Sequence, residues 1–283
     1  MSTLYSMVEP PELESPALIM VLKGWIDAGL AADGAADVLT DNLALTTVAR
    51  FDADALLDWR ARRPIMRLEN GLNTQISWDE TEMSWARDPA GNDLLLLVGN
   101  EPDHAWLSFS EQVVDLAVDL GVRMVVGLGA YPTPVPHTRP PLLSGTASSS
   151  DLLDGLVANS VEVPTGVQGL IERRAAIRGL PALGLWAQVP HYVSAMPYPA
   201  ASLALLEGTN RVAGLQLPLA DLTERASASR ARIDELIGAN PEHHAMLQQL
   251  EKQADEQATT TEMSAASGDQ LVAELERYLR EQS

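Results

Sequence analysis

Four short apolar runs constrain the fold of this chain more than any other feature. They occupy residues 17–22, 93–98, 123–128 and 182–189, and helical patterns of apolar residues lie between them. Runs of this length are typical of strands that are buried on both faces. Strands that alternate with helices form parallel sheets with helices packed on each side. The sequence therefore predicts an α/β fold, a three-layer α/β/α domain with a mainly parallel sheet.

Two local patterns refine this prediction. From Gly71 onward apolar residues recur at every second position through residues 72–78, and Met83 and Trp85 continue the alternation beyond a polar turn. This spacing predicts a hairpin formed by these two segments. Further along, Thr165 is followed three residues later by Gln168, which matches a capping box and predicts a helix that starts there.

The spacing of apolar residues changes near residue 219. From there apolar residues recur only at helical spacing with charge on the opposite face, and residues 252–268 form a polar spacer. Leu271 and Tyr278 belong to a further helical pattern near the end. We therefore predict a core domain of residues 1–218 and a helical C-terminal appendage of residues 219–283.

Charge and composition exclude several classes of function. The chain has 39 acidic and 19 basic residues and a formal net charge of −20, so it repels phosphate backbones and is not expected to bind nucleic acid. It has no cysteine, which excludes disulfides and thiolate chemistry. No run approaches the roughly 18 apolar residues of a membrane span, and the first residues do not resemble a signal peptide. We expect an acidic, cytoplasmic protein with no membrane partner.

Polar side chains follow each of the four predicted strands. Ligands in parallel α/β sheets bind outside the carboxyl ends of the strands, so these residues define a candidate pocket or interface rim. If the loops converge, two imidazoles, a guanidinium and carboxylates share one edge, where they could hold a metal or position a water. The rim residues are Trp25, Asp27, Asn100, Glu101, His137, Arg139, His191 and Tyr192.

Five of these rim residues also have a structural interpretation, which we favour. Asp27 suits the N-cap of a following helix, with its carboxylate accepting from N–H groups two and three residues on. Glu101 suits a helix start, Arg139 an ion pair, and His137 and His191 structural or interface positions. The sequence contains no GxSxG, GxxxxGK[ST] or HExxH motif. We therefore assign no catalytic residue, no metal and no cofactor.

Four segments together resemble the proteasome assembly chaperone 2 family, in its actinobacterial-like branch. They read GWIDAG, LLLLVGNEPD, LGAYPTPVPHTRP and LWAQVPHYV, they occur in this order, and each lies at or after a predicted strand. The resemblance extends over roughly residues 15–215. It implies a domain similar to the phosphorylase/hydrolase-like fold and self-assembly into a homo-oligomer of three or more subunits. It implies no settled enzymatic activity and supplies no catalytic residues.

Relatives in this family assist proteasome core assembly or bind proteasomes, so the resemblance implies proteasome-related partners. Some of those relatives dock through a terminal hydrophobic-Tyr-any tripeptide, whereas this sequence ends Glu281-Gln282-Ser283. Docking by that route is therefore not expected. Our first hypothesis is a non-enzymatic, oligomeric, chaperone-like assembly protein. The alternative is a hydrolase or phosphorylase-like enzyme that uses the polar rim.

Overall fold

The computed structural model describes residues 3–8, 12–158 and 160–256 of the chain. Its strands are β1 (Tyr5–Met7), β2 (Ala17–Lys23), β3 (Thr46–Phe51), β4 (Ile65–Glu69), β5 (Leu72–Ser77), β6 (Glu82–Arg87), β7 (Asp93–Asn100), β8 (Met124–Thr133), β9 (Leu143–Ala147) and β10 (Ala182–Pro190). Its α-helices are α1 (Ala31–Asn42), α2 (Ala53–Leu56), α3 (Trp106–Asp119), α4 (Val167–Ile177), α5 (Pro199–Ala213) and α6 (Ala220–Gly238), followed by α7, which is helical over residues 241–256.

Eight strands form one mixed sheet in the order β1-β3-β6-β7-β2-β8-β10-β9. The four middle strands, β7, β2, β8 and β10, are parallel and coincide with the four apolar runs. In this register Ile19 of β2 lies between Leu96 of β7 and Val126 of β8. The remaining strands add antiparallel neighbours at both ends of the parallel centre. The predicted α/β fold is confirmed.

Side chains of the middle strands alternate between two hydrophobic layers. On β7, Leu94 and Leu96 belong to the layer that also contains residues of α1 and α5, whereas Leu95 and Leu97 belong to the layer shared with α3 and α4. These leucines are at most 1% exposed. Burying each such side chain contributes about 1.5–3 kcal/mol of hydrophobic free energy, so both faces of the sheet need a helical cover. The three layers follow from this requirement.

Helix α6 lies beyond α5 and contributes to the first of these layers. Leu222, Ile233 and Ile237 are its buried residues, and Leu247 of α7 joins the same layer. The division into residues 1–218 and 219–283 stays a prediction. The first five residues of the predicted spacer are helical, as part of α7, and the predicted terminal helix with Leu271 and Tyr278 lies outside the described residues.

The predicted pairing of residues 72–78 with Met83 and Trp85 is wrong. Strand β5 pairs with β4 in a separate two-stranded sheet, and β6 instead lies between β3 and β7 in the main sheet. The reason is the turn between β4 and β5, where Asn70 and Gly71 have positive φ angles of 51° and 82°. Two consecutive positive φ values at Asn-Gly close a two-residue hairpin whose twist matches its strands.

Across residues 3–8, 12–158 and 160–256, no helix combines the length and apolar character that crossing a membrane requires.

Candidate functional site

The carboxyl ends of the four parallel strands meet at one edge of the sheet, and the structure divides the predicted rim there into two parts. Trp25 and Glu101 line a cleft beside the start of α4, and Asn100, which directly precedes Glu101 at the end of β7, is not part of that lining. His137, Arg139 and Tyr192 lie beneath or beside α6 and α7. Asp27 belongs to the start of α1.

The open part is a small cleft with room for about one water molecule, which we call the indole cleft. Two indoles and one carboxylate supply its distinctive chemistry, and aliphatic side chains and glycines complete its walls. Its lining consists of Leu22, Trp25, Ile26, Glu101, Leu128, Gly166, Gln168, Gly169 and Trp186.

Glu101 is the buried acid of the indole cleft and directly follows Asn100, the last residue of β7. It is only 8% exposed, and its Oε1 accepts the backbone N–H of Val167 at 2.5 Å. This carboxylate therefore caps α4, in place of the predicted Thr165–Gln168 capping box. Burial raises the pKa of Glu101, while the Val167 N–H and the nearby Arg62 guanidinium work in the opposite direction.

Glycines on the strands and before α4 make room for the cleft. A Cβ on Gly129 of β8 would lie 2.4 Å from the Trp186 ring, and one on Gly127 would lie 2.3 Å from the Gln168 side chain. A Cβ on Gly166 would meet both Trp25 and Glu101. The indole of Trp186 is held further by a hydrogen bond from its Nε1 to the Thr146 hydroxyl at 3.3 Å.

Deeper under α4, Glu172 is buried between the helix and the sheet. It is 8% exposed, and its Oε2 accepts from the Thr146 hydroxyl at 2.8 Å. Burial raises the pKa of Glu172 to about 7, against the opposing effects of the Thr146 hydroxyl and the Gln168 amide. Sequence reasoning missed Gln168, Glu172 and Trp186 as members of this region. For Gln168 and Glu172, the available signal was their polar character at helix positions that face a sheet. No sequence signal indicated Trp186.

Asp27 organises the start of α1. Its two carboxylate oxygens accept from the backbone N–H groups of Ala32 and Asp33 at 2.8 and 3.1 Å. These donors lie five and six residues on, instead of the predicted two and three. The offset arises because Gly29 and Leu30 adopt positive φ angles of 68° and 47°, which delay the helix. Burial raises the pKa of Asp27, and the helix N–H groups oppose the shift.

In the covered part of the rim, His137 is enclosed by hydrogen bonds on both ring nitrogens. Nδ1 lies 2.7 Å from the Tyr192 hydroxyl, and Nε2 lies 3.0 Å from Oδ1 of Asp234 on α6. The Tyr192 oxygen also accepts the His137 backbone N–H. Because the Asp234 carboxylate can only accept, Nε2 is the donor in that contact, and Nδ1 of the neutral imidazole accepts the Tyr192 hydroxyl proton. This network assigns the imidazole proton to Nε2, where it is donated to Asp234.

Neighbouring polar residues extend this contact to α7. The Arg139 guanidinium forms two hydrogen bonds of 2.9 Å to the carboxylate of Asp255, and Thr138 donates to Glu251 at 2.7 Å. The His137 side chain is fully buried under this cover and Arg139 is partly exposed. With both nitrogens of His137 in use, the imidazole has no free position for an external substrate.

His191 lies on the outer side of this group. It is exposed, and its ring contacts Tyr192 edge-on at a centroid distance of 5.3 Å. Tyr192 therefore stands between the two histidines, since it also contacts the His137 ring. Within the three described ranges, no group of three or more His, Asp or Glu side chains could hold a metal ion.

Comparisons with known proteins agree with the fold and with the strand-end motifs. The model of the PAC2 family matches residues 21–237. A Corynebacterium glutamicum protein of unknown function is 34% identical, with a TM-score of 0.86, and the match covers 91% of this chain and 99% of that one. No curated protein matches the sequence.

Two further solved structures carry more informative descriptions. A Mycobacterium tuberculosis proteasome-assembly chaperone homologue is 34% identical, with a TM-score of 0.75, and the match covers 82% of this chain and 99% of that one. A PAC2 family protein from Streptomyces avermitilis is 36% identical, with a TM-score of 0.74 and the same coverage. The family match spans most of the chain and includes all four strand-end motifs, so this protein belongs to the PAC2 family.

Proposed function

We propose that this protein is a non-enzymatic, chaperone-like assembly factor that forms homo-oligomers of three or more subunits and acts on proteasome-related proteins. The family and the likeness to a proteasome-assembly chaperone homologue support the class of function. The observation that carries the proposal is the two-stranded sheet of β4 and β5, residues 65–77, which we call the assembly hairpin.

The assembly hairpin exposes large apolar side chains that no other described part of the chain covers. Ile65, Leu68 and Leu72 are 75%, 58% and 69% exposed, and every residue of both strands is exposed. Met66 pairs with Ile76 across the strands. A two-stranded sheet is marginally stable in water by itself, and contiguous exposed apolar surface marks protein–protein interfaces. The hairpin therefore needs a partner surface.

Charge favours a second copy of this chain as that partner. A net charge of −20 makes copies repel one another, so they can approach only where negative charge is low. The assembly hairpin contains one Arg and one Glu, Arg67 and Glu69, and it follows Arg60, Arg62 and Arg63. With the flanking acids Asp58, Asp79 and Glu80 included, residues 58–80 carry four positive and four negative charges, so the hairpin is an apolar, electrically neutral projection on an acidic protein. A hairpin that docks on a different surface of the next copy gives a head-to-tail contact, which closes into rings of three or more.

The absence of cysteine allows a direct test of this contact. Thr74 is exposed on β5, so Thr74→Cys places the only thiol of the chain on the assembly hairpin. We expect its reaction with a thiol reagent to slow as protein concentration rises, because association covers it. Leu107→Cys on α3, where Leu107 is 66% exposed, is the matched control and should react at a constant rate. Equal behaviour of the two thiols at all concentrations would contradict the proposal.

The client of the assembly is tested by co-purification. We expect proteasome core subunits from the organism that produces this protein to be retained by the wild type and lost with the Leu68→Lys, Leu72→Lys double variant. The readout is identification of those subunits by mass spectrometry. Retention of no core subunit by an assembled wild type would remove the proteasome from the proposal and leave the self-association intact.

A further inference from the structure

We propose that the assembly hairpin of one copy docks on the exposed apolar turn between β2 and α1 of the next copy. This turn comprises residues 24–30, and we call it the receiving turn. The inference rests on the proposed function and deepens it, because it names the surface that completes the head-to-tail contact. A ring built from unlike surfaces needs such a receiver on every subunit.

The receiving turn exposes three large apolar side chains at the carboxyl end of β2. Trp25, Ile26 and Leu30 are 47%, 39% and 48% exposed and lie within six residues of one another. Gly166 lies against the Trp25 ring. Val163 is 67% exposed and precedes Gly166 by three residues, so it lies within roughly 11 Å of that glycine. Exposed apolar side chains grouped in this way are typical of protein–protein interfaces.

The backbone of the receiving turn is fixed by contacts with the rest of the subunit. The Gly29 N–H donates to the Ser194 carbonyl at 2.7 Å, and the Tyr198 N–H donates to the Gly29 carbonyl at 2.8 Å. Leu30 has a left-handed φ of 47°, which is unfavourable for leucine, and its side chain is exposed. A strained conformation that leaves a leucine in solvent does not help the subunit to fold, and such strain is concentrated at functional sites. A fixed turn also loses little conformational entropy when a partner binds.

Charge allows this turn to approach another copy. Residues 23–33 contain two acids and one base, and both acids are compensated. Asp27 accepts from N–H groups in the first turn of α1, and Asp33 pairs with Lys23 at 3.4 Å. The assembly hairpin carries one positive and one negative charge, so both surfaces are apolar and close to neutral. Their contact avoids the repulsion expected between copies that each carry a net charge of −20.

One face of the assembly hairpin matches this surface in chemical character. Leu72, Thr74 and Ile76 alternate along β5 and therefore share a face. Met66 lies opposite Ile76, on the same face. Leu72, Met66 and Ile76 are 69%, 52% and 44% exposed. This face therefore presents large apolar side chains, around the small side chain of Thr74, to those of the receiving turn.

The position of the hairpin makes the contact intermolecular. Its base lies beside the receiving turn of its own subunit, since Nη2 of Arg62 donates to the Glu101 carbonyl at 3.3 Å and would lie 3.5 Å from a Cβ on Gly24. Both strands are nevertheless exposed along their whole length, so the hairpin does not fold back onto that turn. A six-residue strand spans about 20 Å, which is enough to reach the turn of an adjacent copy.

Cross-linking between two single-cysteine variants tests the contact, because the chain has no cysteine of its own. Thr74→Cys labels the apolar face of the hairpin. Lys23→Cys, at a side chain that is 45% exposed, labels the edge of the receiving turn and leaves its apolar side chains unchanged. The variants are combined at low concentration, concentrated so that mixed assemblies form, and treated with a short bis-maleimide. We expect a two-chain product from the mixture and not from either variant alone.

The matched control combines Thr74→Cys with Leu107→Cys on α3, and it should give no such product. Sedimentation of the same mixtures separates the two proposals. An assembled protein in which positions 23 and 107 cross-link equally would overturn the receiving turn and leave the self-association intact. A monomeric protein would overturn both.

A glycine substitution separates the receiving turn from the stability of the subunit. Leu30→Gly removes an exposed apolar side chain and places glycine at a φ of 47°, which glycine adopts readily. We expect the association constant to fall about tenfold or more, while the midpoint of thermal unfolding in dilute solution does not fall. Ser15→Gly is the matched control, because Ser15 has a φ of 50° and precedes β2 at the opposite end of that strand. Weakened association in both variants, or in neither, would contradict the proposed contact.

Discussion

Two antiparallel strand pairs of this protein both carry large apolar side chains, in opposite surroundings. In the pair of β6 and β7, Met83 and Leu95 through Leu97 are at most 1% exposed, because helices cover both faces of the sheet. In the assembly hairpin, Ile65, Leu68 and Leu72 are more than half exposed. Helices cover the first pair, whereas every residue of the two hairpin strands is exposed. A layer that the chain itself does not supply must come from another molecule, and this is the basis of the proposed self-association.

The largest effect should come from removing a side chain on the covered side of this comparison. Leu96 of β7 is paired with Ile19 of β2, and its buried side chain packs in the layer that contains α1 and α5, so Leu96→Ala leaves a cavity. We expect the free energy of unfolding to fall by about 2–5 kcal/mol. Urea unfolding followed by circular dichroism measures it. A loss below 1 kcal/mol, on the order of a surface substitution, would contradict the account of the core.

The second-largest effect is a pH dependence of the free energy of unfolding, and it should come from the covered layer. The pKa of Glu172 is raised to about 7 in the folded protein, so the folded state binds more protons than the unfolded state between the two pKa values. The stability of the wild type relative to Glu172→Gln should therefore fall as pH rises from about 4.5 to about 7, by roughly 3 kcal/mol in total.

Unfolding curves of the two proteins at several pH values test this. A difference between them that does not change with pH would show that Glu172 titrates normally. The assembly hairpin contains no histidine and no buried carboxylate, so the pH test reports on the covered layer alone.

The smallest effect on the fold is expected in the hairpin itself. Leu72→Ala removes the same atoms as Leu96→Ala, but Leu72 is 69% exposed. In dilute solution we expect the free energy of unfolding to change by less than about 0.5 kcal/mol. The difference from the wild type should grow with protein concentration, because association stabilises only the form that associates. A large loss that is independent of concentration would mean that the hairpin is covered within its own subunit.

The same contrast explains what the sequence could predict. The strands of the sheet centre are apolar throughout, and such runs have few alternatives to a doubly covered strand, so β2, β7, β8 and β10 were predictable. The partner of β5 was not found, although Asn70–Gly71 is a hairpin signal, because residues 65–69 do not present a continuous apolar run. Alternating apolar residues predict a strand, but they do not identify the strand that pairs with it.

The candidate site was predictable only in part, for a related reason. Strand ends indicated Trp25 and Glu101, because parallel strands bring their carboxyl ends to one edge. The other side of the cleft comes from the first turn of α4 and from the interior of β10, where Gln168 and Trp186 face the same space. Likewise, the partner of His137 is Asp234, 97 positions away on α6. Contacts of this kind depend on helix packing and leave no local pattern.

The most direct test of the central claim is the mass of the assembly in solution. Sedimentation equilibrium at micromolar concentration compares the wild type, the Leu68→Lys, Leu72→Lys double variant and the exposed-leucine control Leu107→Lys. Lysine lowers the net negative charge in all variants, so added repulsion cannot explain a loss of assembly. We predict at least three chain masses for the wild type and the control, and one for the double variant. A monomeric wild type, or a double variant that assembles as the wild type does, would contradict the account.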